Sequence, residues 1–431
     1  QNRWDYIGRT YIFHGGMGLI DEKRTGGEKV KSPTPYRIQL DTRRYEAYMK
    51  HAFVLNQAHG TNIALMASGS IHQLDALFGH KTYNVDERNG YLQLMFESNL
   101  TPMHNLSAGL SLNHDAMGRR ETTSGIYAQY TLNVNNKLTA MAGLRADHSI
   151  RYGTFITPRV HLKYAPLDLL TLRLSAGKGY RSPHPLAENH YLLASGRELV
   201  IDNPRQEEAW NTGFSAALYI PIASKTLRLN VEYYYTHFLH QTIVDYDTDP
   251  TQIRLANLDG RSYSHTFQVD MTYPVVDDME LTLAYRLNDV RCTYGGRLLE
   301  RPLASRWKGL ATVSYKPSPG LWQFDVTCQV NGSGRLPFGY NATGDPSIPV
   351  VGETHATTFP VYPQLSAQVT RWFRHVSVYI GGENLTNYRQ KHPILGADDP
   401  WGSDFEPTMI WGPVHSITAY AGLRVNLGKR L

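Results

Sequence analysis

His184 and His190 lie in one polar stretch running from Arg181 to Asn203, and an imidazole nitrogen is a good ligand for iron. The chain carries 18 histidines, and a histidine in a loop is usually only solvated. A second stretch, 387–413, sets Tyr388, His392, Trp401 and Trp411 beside Asp398, Asp399 and Asp404. Aromatic faces with a few polar groups suit a large planar or cyclic ligand. The same two tryptophans could equally pack the stretch or mark an aromatic girdle at a membrane surface. Residues 332–360, with Phe338, Tyr340 and His355, are a weaker version of the same pattern. No Ser/His pair or pair of carboxylates stands out, so no catalytic residue and no enzyme activity are expected. Two cysteines in 431 residues exclude a disulfide scaffold or a Cys-ligated zinc site. Cys292 and Cys328 fall on expected strands with a third between them, beyond the ~7 Å reach of a disulfide, and are read as free thiols.

What must position these residues is a sheet. From Lys225, Leu227, Leu229, Val231, Tyr233 and Tyr235 alternate with Arg228, Asn230, Glu232, Tyr234 and Thr236. Near the end, Ile417, Ala419, Ala421, Leu423 and Val425 alternate with Thr418, Tyr420, Gly422, Arg424 and Asn426. Successive strand side chains point to opposite sides, so one side is apolar and the other carries charge. A soluble β-sandwich also alternates, but its strands are usually ~5–6 residues long. Here they run to ten or more, which matches the ~9–11 residues of a tilted strand crossing a bilayer. Leu229 and Leu423 are therefore expected to face lipid, and Asn230 and Tyr420 a lumen. Arg145, Asp147, Arg173, Arg228, Glu232, Arg286 and Arg424 fall in the inward rows. Short turns near 58–62, 100–105, 133–137, 165–168, 221–225, 274–278, 316–321 and 372–375 alternate with longer polar loops. The longer loops include 20–40, 181–203, 332–360 and 387–413. This spacing predicts an all-β, antiparallel transmembrane barrel over 1–431, with about 18 strands and short turns at the periplasmic end.

Composition excludes other classes. Mean hydropathy is −0.40, and no run approaches the ~18 apolar residues of a spanning helix. Charge is balanced, 43 basic against 38 acidic residues for a net of +5, with no basic run, so a nucleic-acid partner is not expected.

Two motifs add a resemblance. After the expected strand 169–180 the chain reads Tyr180-Arg-Ser-Pro183, then Glu188, then Asn203-Pro204 and Glu207. Near the end stands Gly381-Gly-Glu-Asn384-Leu385-Thr-Asn387. In this order they resemble the barrel motifs of TonB-dependent receptors of the bacterial outer membrane. The resemblance implies a 22-stranded barrel, with a plug domain and about four strands lying outside this chain. It implies active import of a scarce, bulky, metal-bearing nutrient (a ferric siderophore, haem or cobalamin) as cargo, with no resident cofactor or metal. Expected partners are outer-membrane lipid and TonB, acting through the plug, and the resemblance admits a surface lipoprotein. Haem receptors of the family carry a ligating histidine in the interval that here holds His184 and His190, although Asn203-Pro-Arg-Gln206 departs from the haem-type second box. On these grounds Tyr180, Arg181, His184, His190, Tyr340, His392, Trp401 and Trp411 are the candidate ligand-binding residues. The competing reading is a passive, substrate-selective porin of about 18 strands, a size that leaves an open channel.

Overall fold

The computed structural model describes residues 6–7, 11–27, 36–337, 358–391 and 393–425. One antiparallel sheet of 20 strands dominates; two of them, Tyr6–Ile7 and Arg297–Glu300, are short, and the rest form the wall. The wall starts with β1 (Tyr11–Gly27), β2 (Arg37–Asn56), β3 (Thr61–Phe78), β4 (Lys81–Asn99), β5 (His104–Met117) and β6 (Arg119–Val134). It continues through β7 (Leu138–Ser149), β8 (Gly153–Leu167), β9 (Leu170–Arg181), β10 (Glu207–Ile222), β11 (Lys225–His240) and β12 (Ser262–Val276). It ends with β13 (Met279–Tyr294), β14 (Trp307–Tyr315), β15 (Trp322–Asn331), β16 (Tyr362–Trp372), β17 (Val376–Glu383) and β18 (Thr418–Val425). Each strand pairs with the next in sequence, so the wall is an uninterrupted meander. Among the described residues β18 pairs only with β17.

The eight short turns fall where the sequence places them. The long connections are corrected in two respects. The stretch expected as a loop at 20–40 is mostly strand, because β1 runs to Gly27 and β2 starts at Arg37. The loop-end connections after β3, β5 and β7 are also tight, so the long loops belong to the later half of the wall, from β9 onward.

The ladder confirms the two faces. Leu65, Leu94, Leu110, Ile126, Ala146 and Ile156 form one row across six strands. Such side chains are exposed, Leu144 by 56% and Leu423 by 64%, which suits a surface in contact with lipid. The opposite face is polar. Arg145 holds Asp147 at 2.6 Å and donates to Ser111 Oγ at 2.6 Å, crossing Gly125, the residue paired with both Ser111 and Asp147. Glycine and tyrosine meet repeatedly here as direct cross-strand partners: Gly109 with Tyr127, Gly213 with Tyr234, Gly381 with Tyr420, and Gly422 with Tyr379. In each pair the ring lies where a Cβ on the glycine would sit, so the aromatic supplies the contacts that the glycine lacks.

The alternation also inverts along the tallest strands. In β3 the apolar positions Ile63, Leu65 and Ala67 face outward, but higher up Leu74, Ala76 and Phe78 point inward and are buried. In β4 they pass from Leu92, Leu94 and Phe96 to Tyr83 and Val85. Gly69 and Gly90, which pair directly, mark the change. Below them the apolar side meets lipid; above them it meets other parts of the protein. Strands of 18–20 residues exceed the ~9–11 that a bilayer needs, and the surplus stands above it as a ribbon.

Leu144→Arg or Leu423→Arg should cost about 2–4 kcal/mol of folding into lipid. Asn230→Arg, on the lumen face beside Asp270, should be near neutral. Tyr420, on the same face, should not tolerate arginine, since it covers Gly381 and donates to Gln368 Oε1 at 3.1 Å. Equilibrium folding into vesicles measures all four, and equal losses for Leu144→Arg and Asn230→Arg would overturn the face assignment.

Candidate functional site

Among the described residues the lipid-facing part of the wall has no conventional core; the buried apolar side chains collect in the loops and on the strand ends beside them. Leu192, Tyr246, Ile253, Leu255, Leu336, Phe359, Tyr362 and Met409 form one cluster, drawn from loops 182–206, 241–261, 332–361 and 384–417 and the first residue of β16. Water drives this packing, at roughly 1.5–3 kcal/mol for each fully buried large side chain. The backbone ties the same loops together. Glu198–Ile201 runs parallel to Gln252–Asn257, which pairs antiparallel with Thr242–Asp245. Gly334–Arg335 pairs with Thr358–Phe359. The loops therefore form a folded cap at one end of the barrel.

Two buried ionic clusters lock the cap. Arg335 grips Asp247 with two bonds of 2.9 and 2.8 Å, and its Nε donates to Glu300 O. Glu406, 1% exposed, accepts from Ser195 Oγ at 2.8 Å and pairs with Arg197 at 3.4 Å. The tall ribbon buttresses this assembly. Ile38, Leu40, Leu74, Ala76 and Phe78 pack on Leu193 and Ala194. Tyr36 donates to Ala194 O at 2.9 Å, and burial pushes its hydroxyl pKa up to about 12. Sequence reasoning did not find these clamps; their members are single charged residues scattered over distant loops.

The first motif sits at the base of the cap. Arg181 holds Glu207 and Glu188, each at 2.7 Å, and Glu207 also accepts the Thr242 backbone N–H. Ser182 donates to Glu121, Asn203 accepts from Arg119, and the rings of Tyr180 and Phe155 lie 3.8 Å apart. Pro183 and Pro204 are buried where the loop leaves and rejoins the wall. In the second motif Asn384, at φ 51°, donates to Tyr388 O and His415 O; Asn387, at φ 50°, closes the turn onto Asn384 O. Asparagine tolerates this left-handed backbone better than most residues. Leu385 anchors the turn to β16 through Leu365 O. The motif residues thus brace loop roots.

His184 and His190 are both engaged. His184 Nε2 lies 3.4 Å from Asp115, and its backbone N–H donates to Glu188. The hydrogen bond to Asp115 raises its pKa above the ordinary histidine value, against the opposing effect of burial. His190 Nδ1 bonds Ala187 O, and its ring stacks on Tyr83. Of the aromatics in 387–413, Trp411 stacks on Phe359 at 5.1 Å and Tyr388 on Tyr362 at 5.0 Å, both within the cap. Trp401 stacks on His80 and stays 40% exposed. Tyr340 and His392 lie outside the described residues. Among the described residues no group of three or more His, Cys, Asp or Glu side chains is placed to hold a metal ion. Cys292 and Cys328 are free: Cys292 is buried under the cap, whereas Cys328 pairs with Ala311 on the apolar face. Beneath the cap lies a cavity of about 980 Å³ bordered by Arg181, Glu207, Thr242, Tyr246, Tyr294 and Thr408.

Two outcomes follow from this geometry. Arg335→Ala takes the two-pronged arginine contact away from the buried Asp247 carboxylate and should destabilise the cap by about 3 kcal/mol, measured as faster protease cleavage in 241–261 while the wall stays intact. The His184 stabilisation is complete below the unfolded pKa of about 6.5 and is lost as pH rises through the raised folded value. Cleavage in 182–206 should therefore be slower at pH 6 than at pH 8.5, and Asp115→Asn should erase the difference.

The comparisons agree with this architecture. The family described as TonB dependent receptor-like, beta-barrel matches residues 10–385. No curated protein matches the sequence. The siderophore receptor PirA from Acinetobacter baumannii superposes with a TM-score of 0.63 at 12% identity, over 98% of this chain and 76% of that one. The ferric citrate transporter FecA in its unliganded form gives 0.65 at 12% identity, over 97% and 68%. The FrpB iron transporter from Neisseria meningitidis gives 0.57 at 11%, over 97% and 77%. At such identities the superpositions speak to the fold, whereas the match over 10–385 covers most of the sequence, and on it the chain belongs to the TonB-dependent receptor β-barrel family.

Proposed function

We propose that this chain forms the barrel and ligand-gathering cap of a receptor that imports a scarce, bulky nutrient across the bacterial outer membrane with energy from TonB. A ferric siderophore is the leading cargo. The observation that carries the reading is the cap. A passive porin of this strand number conducts through an open mouth, whereas here four loops share a dry core and two buried ionic clamps above a cavity of about 980 Å³. A lid of that kind suits a receptor that binds its ligand first and passes it on only when driven. Family membership and the iron-related neighbours favour the same reading. On this reading the cap faces the exterior, the short turns face the periplasm, and TonB acts through a plug domain.

Haem is the second reading, raised by His184 and His190. It is weakened because the His184 Nε2 that would ligate iron is engaged by Asp115, and an imidazole must be neutral to ligate. Growth discriminates among the readings. A strain without the receptor gene, given iron only as a ferric siderophore, should stop growing and recover with the gene restored, but not in a TonB-deficient background. Recovery without TonB would indicate passive passage. A saturable Soret shift on haemin titration, lost in His184→Ala/His190→Ala, would instead make haem the cargo.

A further inference from the structure

On the lumen side of β8 and β9 stands a strip of cations that has no counter-ion among the described residues. Lys163 and Arg173 are direct cross-strand partners, an arrangement in which like charges destabilise a sheet unless something compensates. Two and four residues up β8 follow His161 and Arg159 on the same face. Arg159 donates to His161 Nε2, which takes up one donor but neutralises no charge. Its cross-strand partners on either side are Gly143 and Gly177, so nothing bulky screens the guanidinium. Among the described residues none of Arg159, Lys163 or Arg173 has a carboxylate partner. Elsewhere on the same wall Arg145 pairs with Asp147, Arg228 with Glu280 and Lys178 with Glu208. The carboxylate in the Lys163–Arg173 row is Glu232, two strands from Arg173 across Ser215, and it forms no ion pair with Arg173. The strip borders a concavity of about 900 Å³ that also presents Gln129, Thr139, Ser175 and Asn211. Arg173 sits four residues past the 168–169 turn, and Arg159 lies near the middle of its strand, so the charges form a ladder rising from the short-turn end to the middle of the lumen.

We propose that this strip binds carboxylate groups of the imported ligand on its way through the lumen, which makes the cargo an anionic, carboxylate-bearing chelate. Guanidinium and ammonium groups with unused donors bind carboxylates through charge-assisted hydrogen bonds. The open geometry and surrounding neutral polar groups favour weak, successive contacts over a single tight seat. This inference rests on the import reading but is tested apart from it.

The probe is citrate, titrated by calorimetry into the purified full chain in detergent at low ionic strength, with its uncharged triethyl ester as control. Wild type should bind citrate saturably and the ester not at all. Lys163→Gln/Arg173→Gln should weaken citrate binding at least about tenfold, while Arg228→Gln, whose arginine is already paired, should leave it unchanged. Heat-modifiability on gels verifies that each variant is folded; if the double variant is not, Arg159→Gln carries the same expectation. Absence of saturable citrate binding by wild type, as when an acidic polypeptide segment covers the strip, would overturn the proposal, as would equal binding by the double variant. Citrate binding that obeys these rules in a receptor failing the TonB growth test would remove the import reading and leave the anion site standing.

Discussion

Everything in this structure follows from the need to satisfy every backbone N–H and C=O group within hydrocarbon, where no water can serve. The antiparallel meander meets that need strand by strand and leaves side chains free to specialise by face. Leucines and isoleucines that would be a liability in water become the lipid surface, and the polar face can afford arginine networks and glycine–tyrosine pairs. It also explains why the wall lacks a core of its own: with lipid on one side and a lumen on the other, there is nowhere within it to exclude water.

The hydrophobic effect acts instead at the end of the barrel, in the cap. There Leu192, Ile253, Leu255, Phe359 and Met409 come together from loops that are distant in sequence. The Arg335–Asp247 clamp adds direction to this packing, because its two-pronged arginine fork holds the carboxylate at a defined angle, and the Glu406–Arg197 contact adds charge pairing. The ribbon of β2–β4 supports the cap from the side, through Tyr36 and the Phe78 cluster. Cap and wall are thus joined by contacts that neither would make alone.

Much of the fold was legible in the sequence because a period of two is a local signal. Leu229 and Asn230 declare their faces without help, and each short turn interrupts the alternation visibly. The motif around Tyr180-Arg-Ser-Pro183 was legible as a pattern, but its purpose was not: the partners of Arg181 are Glu188, close by, and Glu207, whose place beside it depends on how the intervening loop folds. The extra length of β1 and β2 was hidden because the stretch 20–40 is polar, and polarity was read as loop where it marks strand outside the bilayer. The stacking of Trp411 on Phe359 could not have been read at all, since it needs two loops to meet. The contact of His184 with Asp115 was equally hidden, because Asp115, almost seventy residues earlier, gives no local sign of its presence.

The inversion of the apolar face above Gly69 and Gly90 has an evolutionary consequence. Below it, outward substitutions must answer to lipid; above it, the inward positions must answer to the cap. Gln73, Asp75, Asn84 and Asp86, on the outer side of the ribbon, are exposed and answer to neither. Exchanges at such positions usually shift stability by no more than about 0.5 kcal/mol. The outer side of the ribbon is therefore the part of the molecule whose sequence can drift most freely, while the packed positions beneath it stay fixed.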